Sequence, residues 1–170
     1  MIKSTRLNTI IYYLSYLLFL LAPILIIPLI LSLIYAEGNQ LYKGYYFSVL
    51  FSLITAFVLK AITNKKNLKI NLTTAMLLCA SSWIIISLFG SFPFVIGINK
   101  SFIDAFFEST AGFTSAGLTV FTALDLMPKS IIFWRSLMQF LGGLGILTFF
   151  LLISTRAGGE TWQFFSAEGH

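Results

Sequence analysis

Ser101-Phe102-Ile103-Asp104-Ala105-Phe106-Phe107-Glu108-Ser109-Thr110-Ala111-Gly112-Phe113-Thr114-Ser115-Ala116-Gly117-Leu118-Thr119 says more about how this chain folds than any other segment of it. It opens Ser-x-x-Asp, a capping-box variant in which an acid three residues on answers a serine cap, so a short helix starts at Ser101. Phe102, Ala105, Phe106 and Ser109 fall on one face of that helix. Asp104 and Glu108 lie one turn apart near its start, where negative charge suits the helix dipole and attracts cations at a vestibule, and Gly112 favours its termination. Thr114 to Thr119 are then small or hydroxylated residues around Gly117, flanked by Phe113 and Val120. Irregular backbone at membrane depth is tolerated only where it is buried in protein or lines a water-filled path. The pattern predicts a re-entrant loop. The helix dips inward with its carbonyl end towards the membrane interior, and carbonyls of the returning segment replace the water around a dehydrated cation.

The flanks on either side set that loop in a membrane. Of 170 residues, 58% are apolar and 10% charged, and the mean hydropathy is +0.91. Soluble domains carry about 25% charged residues, so a water-soluble enzyme is excluded. Charged residues divide the chain into uncharged runs at 7–36, 44–59, 70–99 and 136–155, the last lengthened by 130–134 across Arg135. A helix needs about 20 mainly apolar residues to cross about 30 Å of hydrocarbon. Three runs meet that length, and 44–59 reaches it when Lys60 snorkels to the headgroups. The sequence therefore reads as an all-α membrane protein: four transmembrane helices, one re-entrant pore helix and an extended filter segment. Two leading helices occupy 1–69, a span–pore helix–filter–span module 70–157, and a truncated cytoplasmic tail 158–170. Pro23 and Pro28 predict a kinked first helix packed within a bundle. Tyr42, Tyr45 and Tyr46 suit an interfacial belt.

Orientation follows from lysine and arginine in short loops. An amino terminus inside places Lys3, Arg6, Lys60, Lys65, Lys66, Lys69 and Arg156 in the cytoplasm, against Lys43, Lys100, Lys129 and Arg135 outside. Both termini are expected to be cytoplasmic, in a multi-pass protein of a bacterial plasma (inner) membrane. Arg135 lies just inside the fourth span, where it either pairs with Asp104 or Glu108, bracing the pore helix, or snorkels to the headgroups.

Span, short helix, hydroxyl-small-glycine segment, span is the order of a potassium-channel pore module. Asp104-Ala105-Phe106-Phe107-Glu108-Ser109, followed by Gly112 to Thr119, more specifically resembles the first pore helix and filter of the Trk/Ktr/HKT family of potassium transporters, whose filter segments carry a single glycine. Phe133-Trp134-Arg135-Ser136-Leu137-Met138-Gln139-Phe140-Leu141-Gly142-Gly143-Leu144-Gly145-Ile146 is similar to the start of the family's following span. Gly158-Gly159 and Ala167-Glu168 are similar to what comes next in its bacterial TrkH branch. The resemblance covers nearly the whole chain and implies potassium uptake by passive conduction through a carbonyl-lined filter. It implies that Thr114, Ser115, Ala116, Gly117 and Leu118 coordinate the ion, with potassium at Thr114, Ser115 and Gly117, and no cofactor beyond the transported ion. Ser115 and Ala116 stand where many relatives carry threonine. A homodimer on cytosolic nucleotide-binding regulatory subunits of the TrkA kind is also implied.

A ring of carbonyls needs several walls around one axis, and one wall is present. Family members supply four modules from one longer chain, so this chain reads as the amino-terminal part of such a protein, with the missing pore modules among its partners. The alternatives are a nonconducting assembly fragment and a one-module channel of four copies. An integral membrane enzyme is the weakest reading, because Asp104 and Glu108 have no nucleophile or base beside them. One cysteine, Cys79, and one histidine, His170, leave no disulfide framework or metal cluster. Gly142-Gly143-Leu144-Gly145 follows no strand and precedes no Gly-Lys-Ser/Thr, so it serves helix packing or a hinge rather than phosphate. The net charge of +5 is scattered between apolar runs, which argues against nucleic acid.

Overall fold

Helix α1 (Thr5–Ile34) turns into α2 (Asn39–Ile62), and α3 (Leu72–Phe92) widens into a π turn (Pro93–Gly97). The short α4 (Phe102–Phe113), an irregular return, a single 3-10 turn (Leu124–Leu126) and α5 (Lys129–Arg156) follow. This is a computed structural model describing residues 5–65, 68 and 70–156; Lys3, Lys66, Lys69 and the tail at 158–170 with Gly158-Gly159, Ala167-Glu168 and His170 lie outside the described residues. Four helices are long and apolar enough to cross a membrane, and no strand occurs among the described residues.

The leading helices form an antiparallel hairpin. Leu18, Leu21, Ala22 and Leu25 of α1 are buried with Ser48, Ser52 and Ala56 of α2, small residues that let two helices approach without a hydrophobic drive between them. Ser15, Ser48 and Ser52 donate their hydroxyls to carbonyls one turn back, at Tyr12, Gly44 and Val49, so burial leaves those hydroxyls satisfied. Helix α1 continues through both Pro23 and Pro28 without a break in its assignment. One turn before Pro23, Phe19 of α1 packs edge-on against Phe57 of α2 at 4.9 Å. The second span is longer than the uncharged run because Asn39 to Lys43 already lie in the helix. At its far end the Lys60 ammonium lies 5.2 Å from the Tyr16 ring and 5.3 Å from that of Phe19, a cation–π contact to α1. Of the three tyrosines read as interfacial, Tyr45 is fully buried.

The third span starts at the Asn71 cap, whose side chain accepts from Thr74 N–H, and ends differently from the uncharged run. Pro93 has no N–H for the carbonyl of Phe89 and its ring crowds that carbonyl, so the last turn opens to π geometry. Lys100 N–H then bonds the carbonyl of Phe94, and the chain turns into α4 through Asn99 at φ +53°. Helix α4 packs between α3 and α5, against the π turn.

Candidate ion-conducting site

Ser101 caps α4 as its spacing requires, its hydroxyl accepting from Asp104 N–H at 3.1 Å. Of the four residues that share a face, Ala105 and Ser109 are buried and Phe106 is half-buried. Ala105, Glu108, Ser109, Ala111, Gly112 and Phe113 face inward, while Phe102 is exposed. Gly112 does not end the helix: it packs on Met138, and α4 continues through Phe113. The terminus is a Schellman motif. Ser115 N–H bonds the carbonyl of Gly112 and Ala116 N–H that of Ala111, with Ser115 left-handed at φ +54° in the place glycine usually takes. Its Oγ donates to the carbonyl of Gln139 on α5 at 2.7 Å, which holds a non-glycine residue in that conformation.

From Ser115 the chain doubles back. Val120 N–H and Thr119 Oγ1 bond one Glu108 carboxylate oxygen at 3.1 and 2.9 Å, and Phe121 packs edge-on against Phe94 in the π turn. The return thus ends level with the start of α4, which makes the loop re-entrant. Glu108, 2% exposed, is its tie point. The other carboxylate oxygen takes Arg135 of α5, Nε at 2.6 Å and an Nη at 2.5 Å, so one carboxylate joins pore helix, returning leg and following span. Such a buried charge is tolerable only when its lone pairs are filled. Of the two acids offered to Arg135 by the sequence, it takes Glu108; Asp104 stays in the exposed first turn, and Glu108 faces protein rather than a vestibule.

The inner end of α4 sits against the middle of α5. A Cβ on Gly142 would collide with the Phe113 carbonyl oxygen, so only glycine admits that contact. Gly142 is 13 residues into α5, about 20 Å along its axis, which puts the carbonyl end of the pore helix deep in the span. Fully buried Trp134 wedges the three helices, its indole N–H on the carbonyl of Gly90 at 3.0 Å and its ring edge-on to Phe113.

Between these fixed ends, Thr114 is half-buried and Ser115, Ala116, Gly117 and Leu118 are exposed along one open flank. The amides of Thr114, Ser115 and Ala116 point back to α4 carbonyls. Among the described residues, no hydrogen bond is accepted by the backbone carbonyls of Thr114 to Leu118. Gly117 adopts φ +71°, a conformation that side chains resist, and a Cβ there would meet no atom within 4 Å. Its requirement is therefore conformational, not steric. No group of three His, Cys, Asp or Glu able to hold a metal occurs among the described residues. Thr119, Trp134 and Gln139 also belong to the site; they lie within the stretches that resemble the family, but nothing local to them assigns these roles.

A pore helix with its carbonyl end at membrane depth, followed by a return of unclaimed carbonyls fixed from behind, defines a pore-loop membrane protein. The chain belongs to the TrkH cation transport protein family, whose pattern matches residues 40–168. It is similar to the uncharacterized cation transporter MJ1485 of Methanocaldococcus jannaschii, 37% identical over 147 residues covering 84% of this chain and 30% of the relative. It is also similar to the Trk system potassium uptake protein TrkH of Escherichia coli K12, 30% identical over 154 residues covering 89% of this chain and 32% of that one. The crystal structure of the potassium transporter TrkH from Vibrio parahaemolyticus superposes with a TM-score of 0.79 at 28% identity, covering 86% of this chain and 31% of that chain. This chain thus spans about a third of the length of the relatives it matches.

Proposed function

We propose that this chain supplies one wall of a potassium-conducting filter, with the carbonyls of Thr114, Ser115, Ala116, Gly117 and Leu118 as its ion ligands. The single observation that carries the reading is the run of unclaimed carbonyls from Thr114 to Leu118, exposed from Ser115 on, behind which the amides of Thr114, Ser115 and Ala116 are tied back into the pore helix. Carbonyl dipoles on such a run substitute for water around a dehydrated cation, and several weak positions in series let it leave again. The α4 carbonyl end adds partial negative charge below them. Movement is passive, down the electrochemical gradient, and no residue here is assigned a catalytic role.

The residues divide into a leading hairpin over 1–69, a pore module over 70–157 and a cytoplasmic tail over 158–170. Both termini face the cytoplasm and the protein sits in a bacterial inner membrane, because that orientation puts more Lys and Arg inside. A ring of ligands requires further walls, supplied by other pore modules of the same protein. Resemblance to the Trk/Ktr/HKT family supports a homodimer on cytosolic nucleotide-binding subunits. The test is rubidium uptake, with potassium and sodium as competitors, in cells lacking their own potassium uptake systems. Either the 170-residue chain alone or a version extended through its native downstream coding sequence is expressed. Uptake blocked by potassium but not sodium, from either version, supports the wall; well-inserted protein without uptake in both versions refutes it.

A further inference from the structure

The leading hairpin has no part in the filter, yet its outer turn grips the pore module on both sides. Ala36 at φ +50° closes α1 with a Schellman motif in which Glu37 N–H bonds the carbonyl of Ser32, so Glu37 projects from a fixed backbone. Both of its carboxylate oxygens accept from the Ser130 N–H in the first turn of α5, at 3.1 and 3.3 Å. Helix α5 follows Pro128, which has no side-chain acceptor to cap it, so its cap comes from 93 residues away. Lys129 lies 4.4 Å from the Tyr35 ring beside this contact. On the other flank, Gln40 donates to Asn99, two residues before the Ser101 cap of the pore helix, at 2.8 Å. A Cβ on Gly44 would lie 2.9 Å from Gly97 N, so α2 is seated directly on the π turn.

We propose that Glu37 makes the leading hairpin the outer brace of the filter, acting as a positioning residue through α5. Five residues beyond Ser130, about 8 Å down the helix, Arg135 meets Glu108, and Glu108 holds Thr119 and Val120. Fixing the start of α5 therefore fixes the height and rotation at which Arg135 presents its guanidinium, and through it the returning leg. The inference rests on the filter reading for its consequence, but the mechanical link stands apart from it.

The test separates cap from brace. Glu37→Ala removes both. Glu37→Gln keeps an oxygen for Ser130 N–H. Glu37→Ala combined with Pro128→Asp gives α5 a local cap without a tie to the hairpin. Hydrogen exchange of the purified full-length protein in lipid nanodiscs is followed over 114–121, alongside rubidium uptake with sodium competition. Glu37→Ala is expected to speed exchange at 119–121 about fivefold, the equivalent of a lost cap, and to weaken discrimination against sodium. Glu37→Gln should match the unaltered protein. The double variant should recover thermal stability while leaving 119–121 fast-exchanging. Recovery of slow exchange in the double variant, or unchanged exchange at 119–121 in Glu37→Ala, overturns the brace. Exchange needs no ion flux, so the brace is read out even where the filter fails in uptake.

Discussion

Glu108 is held by four donors, two from Arg135 and one each from Thr119 and Val120, and this decides what its loss costs. Its side chain is 1% exposed and that of Arg135 13%, so solvent screens the pair little. Glu108→Ala strands a buried guanidinium and two further donors, and about 3 kcal/mol of stability should go with it. Glu108→Gln keeps an acceptor for the returning leg and should cost less. Thermal unfolding in detergent, followed by tryptophan fluorescence, checks the order, and equal losses would show that the leg does not depend on this side chain. The pairing itself was half legible: charges at 104, 108 and 135 announce a brace, but the choice of Glu108 depends on which face of α4 turns inward. That face is set by Gly112 on Met138 and Ser109 Oγ on Met138 Sδ at 3.6 Å, contacts with no periodic signature.

Among the elements, the start of α4 was readable and its end was not. Ser101 caps α4 through a local hydrogen bond, and local chemistry is what a sequence states directly; Asn71 caps α3 in the same local way. The end of α4 is written in tertiary contact instead, because Ser115 occupies a left-handed position that only its bond to the Gln139 carbonyl makes tolerable. Two effects of about 1 kcal/mol oppose one another there: relief of left-handed strain by glycine, and loss of the Oγ hydrogen bond. Ser115→Gly should therefore melt close to the unaltered protein and Ser115→Ala clearly below it, since alanine keeps the strain and loses the bond. Alanine matching serine would mean that the Gln139 contact does not hold the turn. The π turn at Pro93 escaped for a similar reason: one proline inside an apolar run signals a break, not the wider turn that repairs it.

Across the whole molecule, four spans and a re-entrant loop were legible because length, charge and hydropathy are summed properties that tertiary detail does not overturn. Glu37 reaching Ser130 was not, since nothing local marks a cap supplied across the bundle. The proposed topology makes a direct prediction in a Cys79→Ser background. A cysteine at Leu126, 87% exposed, should react with a membrane-impermeant thiol reagent in intact cells, and one at Lys65 only after permeabilisation; the reverse pattern would invert the protein.

If the carbonyls around Gly117 form the conducting wall, then Gly117→Asp should break it and little else. At φ +71° the residue has open space for a side chain but a backbone that resists one, so the substitution should spare insertion while turning carbonyls away and placing a carboxylate at the filter. The measurement is rubidium uptake by the version that conducts, with and without Gly117→Asp, at matched amounts in the membrane. Uptake in the unaltered protein and its loss in the variant are the expected pair of results. Normal uptake by a well-inserted Gly117→Asp protein would show that the wall lies elsewhere.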